Sequence, residues 1–471
     1  MKDTHNPRTP STHSRRTFLR VLVGGSGVAV GSTLLAACGS PNPAADATDA
    51  TSVPVAASTT APAVNSSTVT LTIMSRGNEF SAEETKAFTD ANPGIVIERL
   101  EDDATRFKAM LAAGTPPDIF RTQGPSVPNL INQGVLLDLT PYFNASSMLK
   151  TDDLAPSINF YRVDGKLYGM PKDWSPDLSM FASKSAFEDA GVALPDPAKP
   201  LLYSELATIG KQLTKREGDR TLRFGYAYDS GLLPRMLQTI LLEKDQQMYA
   251  PDFSTITLKD NPLAREALQF FFDLSKEQAT FTPLNPSASW IGEDFVKGQV
   301  GIVQYGYWFS GMISTTESPI TGPDQTVMLT SPSWFGTKQV NPTVTATGFV
   351  IAQGSKNPEA AWKLFEFYNA GAPAENRAKS GWGVPGLKSL YSLMPAESPF
   401  QQQVQTILKQ EITNSDYTLS VNPYYDDSVF GTSWTTNLEQ ALRGDLSFDQ
   451  VIENIETDVN AAIADGKATS A

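Results

Sequence analysis

Two histidines, His5 and His13, and one cysteine, Cys38, are all the imidazole and thiol in this 471-residue chain. All three fall within its first 38 residues. Beyond Cys38 there is neither group, which excludes Ser-His-Asp and Cys-His nucleophilic catalysis and any zinc site ligated by His or Cys. What remains is carboxylate chemistry: two carboxylates flanking a glycosidic bond, or an oxygen-ligated metal. Glu79 and Asp173 are candidates for the first, although no carboxylate pair stands at a recognisable spacing. A single cysteine also rules out an internal disulfide.

The clustering of those three residues has a simple source. Ser14 to Cys38 reads SRRTFLRVLVGGSGVAVGSTLLAAC, an export signal with a basic head (Lys2, Arg8, Arg15, Arg16, Arg20) and an uncharged run up to Ala37. The run is short for a membrane span. SRRTFLR is similar to the twin-arginine export motif, with Arg20 where lysine is commoner. LAAC resembles a bacterial lipobox, in which Cys38 is lipidated and becomes the mature N-terminus. An uncleaved anchor is the alternative, and it leaves the protein on the same side of the membrane. Residues 39–67 are Pro, Ala, Ser and Thr with almost no large apolar side chain, so they read as a disordered linker. Its root-mean-square span is roughly 30 Å.

Residues 68–471 are too many for one core, and 40% hydrophobic residues suffice for two. Removing residues 1–37 takes away five basic residues and one acidic one, bringing the formal charge from −14 to −18. Such a surface does not suit nucleic acid, whose phosphates need cations.

The candidate residues need elements to hold them. Val69, Leu71 and Ile73 alternate with threonines as a strand, followed by a helix from Ala82 to before Pro93. A strand IVIERL, a helix ending at Gly114 and a strand PDIF complete a parallel, helix-covered α/β sheet. Further strands are read in RFGYAYD, GQVGIVQYGYW and TATGFVIA. Asn261 is placed as the cap of a helix starting at Pro262, Gly371 as the C-terminal stop of a helix from Pro358, and Ser447 with Gln450 as a capping box.

The order of several motifs resembles the extracellular solute-binding proteins of ABC importers, the sugar-binding family that includes maltose-binding protein. They are LAAGTPPDIF, NLINQGVLLDLTPY, DGKLYGMP with KSAFEDAGV, EDFVKGQVGIVQYGYW, GFVIAQGSKNPEAAWKLFEFYNAG and GVPGL. The likeness covers about Thr68 to Gly466. Two departures stand out. A P-x-T-W segment near Pro200 reads KPLLYSEL, and a tyrosine-asparagine pair before a lysine reads Phe181-Ala182-Ser183. The resemblance implies two α/β lobes joined by a hinge, with a ligand cleft between them. By this analogy one lobe takes residues 68–174 and 346–380, and the other takes 175–345 and 381–471.

A neutral polyol needs a flat apolar face and bidentate polar groups, which open α/β sheets supply at the carboxyl ends of strands. That rule selects Arg76, Asn78 and Glu79 after the first strand and Arg121 and Gln123 after PDIF. It adds Asp173 and Trp174 at the first crossing, Asp229, then Tyr305, Tyr307 and Trp308. Trp382, between Gly381 and Gly383, completes the set. Trp174, Trp308 and Trp382 equally fit ordinary packing, and Glu79 fits a helix start. Trp290, Trp334 and Trp362 read as core or surface structure, Asp118 as a partner of backbone amides, and Asp426 and Asp427 as a solvated turn.

These readings describe a monomeric, lipid-anchored subunit that binds a carbohydrate without chemistry, cofactor or metal and delivers it to a membrane permease. A carboxylate-dependent glycoside hydrolase is the rival from another class. A phosphorylated polyol, a polyamine or a peptide is the rival within binding, and Arg76 and Arg121 keep the phosphate open.

Overall fold

The computed structural model describes residues 68–77, 79–415 and 419–469, so Asn78, Cys38, the export signal and the linker lie outside the described residues. Fourteen strands run in chain order. They are β1 (Val69–Ser75), β2 (Ile95–Glu101), β3 (Ile119–Gln123), β4 (Arg162–Val163), β5 (Lys166–Leu167), β6 (Gly169–Pro171) and β7 (Asp173–Trp174). Then come β8 (Met180–Ser183), β9 (Lys215–Glu217), β10 (Arg220–Ala227), β11 (Val300–Gln304), β12 (Thr326–Leu329), β13 (Thr347–Ile351) and β14 (Val384–Pro385).

Two five-stranded sheets carry the fold. The first has the order β2-β1-β3-β13-β6, with β1 parallel to β2 and β3, and β13 antiparallel to β3 and β6. The second has the order β12-β8-β11-β10-β9, with only β10 and β11 parallel. Each has its own core. Leu71, Ile73, Phe120, Phe349 and Leu364 belong to the first. On the second sheet the two-residue period sorts side chains onto two faces: Met180 and Ala182 with Val327 and Leu329 on one, Phe181 with Met328 on the other. One helix, Tyr203–Leu213, lies so close to β10 that a Cβ on Gly225 would sit 1.6 Å from the Gly210 carbonyl oxygen, so β10 cannot carry a side chain at that position.

The predicted caps are present where the local chemistry demands them. Asn261 accepts from the Leu263 and Ala264 amides, and Ser447 and Gln450 bond reciprocally. Asp118 accepts from the Thr72 amide at 2.8 Å across the strand pair. Gly371 caps the end of the helix Pro358–Ala370, as expected. Its φ of −90° is extended, because the chain starts a second helix, Ala372–Ser380, at once instead of stopping in a left-handed turn.

Three segments pass between the sheets and bond to one another. Trp174 of β7 pairs with Val384 of β14, and the Lys172 amide donates to the Thr347 carbonyl at 2.9 Å. Buried Asp177 accepts from the Val344 and Thr345 amides at 2.8 and 3.0 Å. After β14 the chain adds three helices, Pro399–Thr413, Ser428–Arg443 and Phe448–Thr469, to the cores of the second sheet, while Leu387 still packs in the first core.

Candidate ligand-binding site

Because β10 and β11 are parallel neighbours, with Ala227 opposite Val303, their carboxyl ends leave the sheet side by side. The chain beyond β10 supplies Tyr228 and Asp229, and the chain beyond β11 supplies Tyr305. These three line a pocket of about 310 Å³, closed by Phe281, Trp290 and, from the helix Ser428–Arg443, Trp434. The volume is at the lower end of the usual range for small-molecule sites, on the order of 300–1,000 Å³.

The half-buried Trp290 ring is held by its neighbours. It lies 5.8 Å from the Tyr305 ring and is stacked on Trp308 at 6.3 Å with an interplanar angle of 26°. Its other constraint is Gly292, where a Cβ would come within 2.1 Å of the indole. Trp308 itself stands 4.7 Å from Tyr305 and braces this wall without lining the pocket.

Besides Asp229 and the tyrosines, the hydroxyls of Ser230, Thr282, Ser287, Ser289 and Thr435 line the pocket. Asp229 Oδ1 accepts from the Gly231 amide at 2.9 Å and starts the turn Ser230–Leu232. Burial pushes the Tyr305 phenol up, and the carboxylates of Asp229 and Asp294 push it further. Tyr305 is therefore a neutral hydrogen-bonding group.

At the end of the first sheet the predicted residues form a different structure. Glu79 accepts from Arg121 at 3.0 Å and lies 3.5 Å from the Lys172 ammonium, while Lys172 is also paired with Asp173. Asp102 takes Arg121 at 3.4 Å and Arg76 at 3.5 Å. Burial pushes the Glu79 carboxyl up, but Lys172 and Arg121 outweigh it and hold the group below the ordinary carboxylate value. Three cations meet three carboxylates here.

The remaining candidates separate. Gln123 is engaged by Arg235, which also binds Asp427 at 3.0 Å, so Asp427 belongs to a partly buried ion pair and not to a fully solvated turn. Trp174 is 5% exposed in the crossing and packs with Val384. Tyr307 is 1% exposed and receives Gln405 at 3.2 Å; burial pushes its phenol up to about 12. Trp382 is 38% exposed, over Gly311.

Of the predicted set, Asp229 and Tyr305 come together in the pocket, with Trp308 behind them. Trp290, read as packing, is instead a pocket wall, and Tyr228, Phe281 and Trp434 were not singled out. A signal for Trp290 existed: a tryptophan in the loop PSASWIG, two residues before a glycine. Trp434 carried none, since Phe430, Trp434 and Leu438 have the spacing of a core stripe.

A family model described as bacterial extracellular solute-binding protein matches residues 75–370. A binding protein of Brucella abortus is 28% identical over 306 residues, 60% of this chain and 67% of that one. An ABC substrate-binding protein of Listeria monocytogenes, solved in complex with cycloalternan, superposes with a TM-score of 0.71 at 20% identity, over 84% of this chain and 98% of its own. An ABC transporter solute-binding protein of Thermotoga lettingae, bound with alpha-D-tagatose, gives 0.66 at 19% identity, over 84% and 100%. These likenesses establish the architecture as two lobes with a hinge and a cleft between them. With the family model matched across more than half of its length, the chain belongs to the bacterial extracellular solute-binding proteins.

Proposed function

We propose that this protein is the substrate-binding subunit of an ABC importer, tethered by a lipid on Cys38, which captures a carbohydrate and delivers it to the permease. The observation that carries the ligand class is the ring-walled pocket at the paired ends of β10 and β11. A sugar ring presents an apolar C–H face to an indole and hydroxyls to polar groups, and Trp290, Tyr305 and Asp229 offer both. The Listeria and Thermotoga proteins of this fold hold cycloalternan and tagatose. On this reading residues 68–174 with 346–380 form one lobe, and 175–345 with 381–471 the other. The separate cores support that division, with Leu387 in the first core and Ala155 and Trp174 in a core of the second sheet as local exceptions.

Two rivals lose their support. A hydrolase needs a carboxyl that stays protonated, whereas Glu79 is held ionised between Lys172 and Arg121. A phosphorylated ligand needs free cations, whereas Arg76 and Arg121 are occupied by Asp102 and Glu79. Calorimetric titration with a panel of mono- and oligosaccharides tests the proposal. At least one member should bind, and Trp290→Ala should weaken it by about tenfold to a hundredfold. A panel without any binder, or a binder indifferent to Trp290, would overturn the site.

A further inference from the structure

The electrostatics of the pocket narrow the ligand class further, on the premise that this pocket is the ligand site. No lysine or arginine lines it, and Asp229 is the one charged residue that does. Among the described residues the Asp229 carboxylate meets only the Gly231 amide, through Oδ1, and forms no ion pair. A second carboxylate, Asp294, is buried close behind Tyr305 with its Oδ2 taking the Ser287 hydroxyl.

Tyr228, Phe281, Trp290, Tyr305 and Trp434 give the wall five rings, and its other polar groups are neutral hydroxyls. Ring faces are the negative side of an aromatic quadrupole, so they favour a cation and repel an anion, and two nearby carboxylates add to that preference. The contrast within the same molecule is informative. At Glu79, Asp102 and Asp173 every carboxylate has a cationic partner, whereas Asp229 has none, and it alone opens into a cavity. The hydroxyls of a neutral sugar can donate to this exposed carboxylate, but only a cationic group on the ligand also balances its charge.

We propose that the ligand is a sugar bearing a protonated amine, an amino sugar or aminocyclitol, whose ammonium faces Asp229 while its C–H face lies on Trp290. Asp229 then sets specificity, and Trp290 supplies contact area common to any sugar.

The test is calorimetric titration of the mature protein with glucosamine, N-acetylglucosamine and glucose, and with their α-1,4- and β-1,4-linked dimers. Each set differs only in carrying an ammonium, an acetamide or a hydroxyl. At least one amino member should bind about tenfold or more tighter than its acetylated and hydroxyl counterparts. Asp229→Asn should erase the difference with an unchanged melting temperature, because asparagine can still accept from the Gly231 amide. Equal or tighter binding of the neutral members, or an amine preference that survives Asp229→Asn, overturns the proposal. So does a panel in which no amino member binds. Neutral binding that Trp290→Ala abolishes would leave the pocket standing as a sugar site; neutral binding that ignores Trp290 would remove both readings.

Discussion

The Arg235 guanidinium, on the helix Leu233–Leu242 of the second sheet's core, reaches the Gln123 side-chain oxygen at the end of β3 in the first sheet, at 3.2 Å. The same guanidinium holds Asp427 and the Val344 carbonyl of a crossing segment, and the arginine is 7% exposed. A second link lies nearby, where the Asn129 side chain donates to the Pro423 carbonyl at 3.1 Å. Gln123→Ala removes only the contact between lobes, since Arg235 keeps its two other partners. A hydrogen bond to a charged group contributes about 1.5–3 kcal/mol. The ligand-free variant should therefore have a larger radius of gyration by small-angle scattering, with its melting temperature nearly unchanged. An unchanged radius would show that this contact does not hold the lobes together.

Gly292→Ala should act on the ligand without touching it. The glycine opens the short helix Ile291–Val296, so alanine suits the backbone, yet its methyl would overlap the Trp290 indole. The indole must leave its place against Tyr305 and Trp308. Affinity should fall about as far as in Trp290→Ala, by roughly tenfold or more, with tryptophan fluorescence altered in the free protein. Wild-type affinity would mean that the ring position is not what binds.

The strands and caps were legible because each is written locally. Val69 to Ile73 alternates, Asn261 precedes Pro262, and Ser447 precedes Gln450 by three. The strand-end rule found Asp229 and Tyr305 for the same reason. Pairings across long sequence separations were not legible. Arg235 and Asp427 are 192 positions apart, and Asn129 and Pro423 are 294 apart. Glu79 read as a ligand group or a helix start and Arg121 as a ligand group, until the structure placed both in one ion-pair cluster with Lys172, which was not singled out. Trp290 had a faint signal in the glycine two residues on but lies in a loop without a period, and its place as a wall comes from Tyr305, Trp308 and Gly292.

Export and anchoring give a prediction from the first 38 residues. Cys38→Ser should release the protein from the membrane fraction, and replacing Arg15 and Arg16 together with lysine should block export. A Cys38→Ser protein that is still processed and membrane-bound would refute the lipobox. Normal export of the double-lysine variant would refute the twin-arginine route.

The last prediction concerns the segment 331–345 that leads into the second crossing. It has no regular secondary structure, and three carboxylates hold it. Glu243 accepts from the Trp334 and Phe335 amides, Glu411 from the Ser331 amide and Gln339, and Asp177 from the Val344 and Thr345 amides. In each, burial pushes the carboxyl above its ordinary value, more than these hydrogen bonds pull it down. The native state thus binds a proton more tightly than the unfolded chain. The stability gained from that proton is complete below the ordinary carboxylate value, about pH 4, and is lost as pH rises through the raised native value. Glu411→Gln removes one such group, so the wild-type advantage over it in urea unfolding should be largest near pH 4 and shrink toward pH 7. A gap that widens with rising pH would mean that the surrounding donors favour the ionised carboxylate, and that the segment is held most firmly when Glu411 is charged.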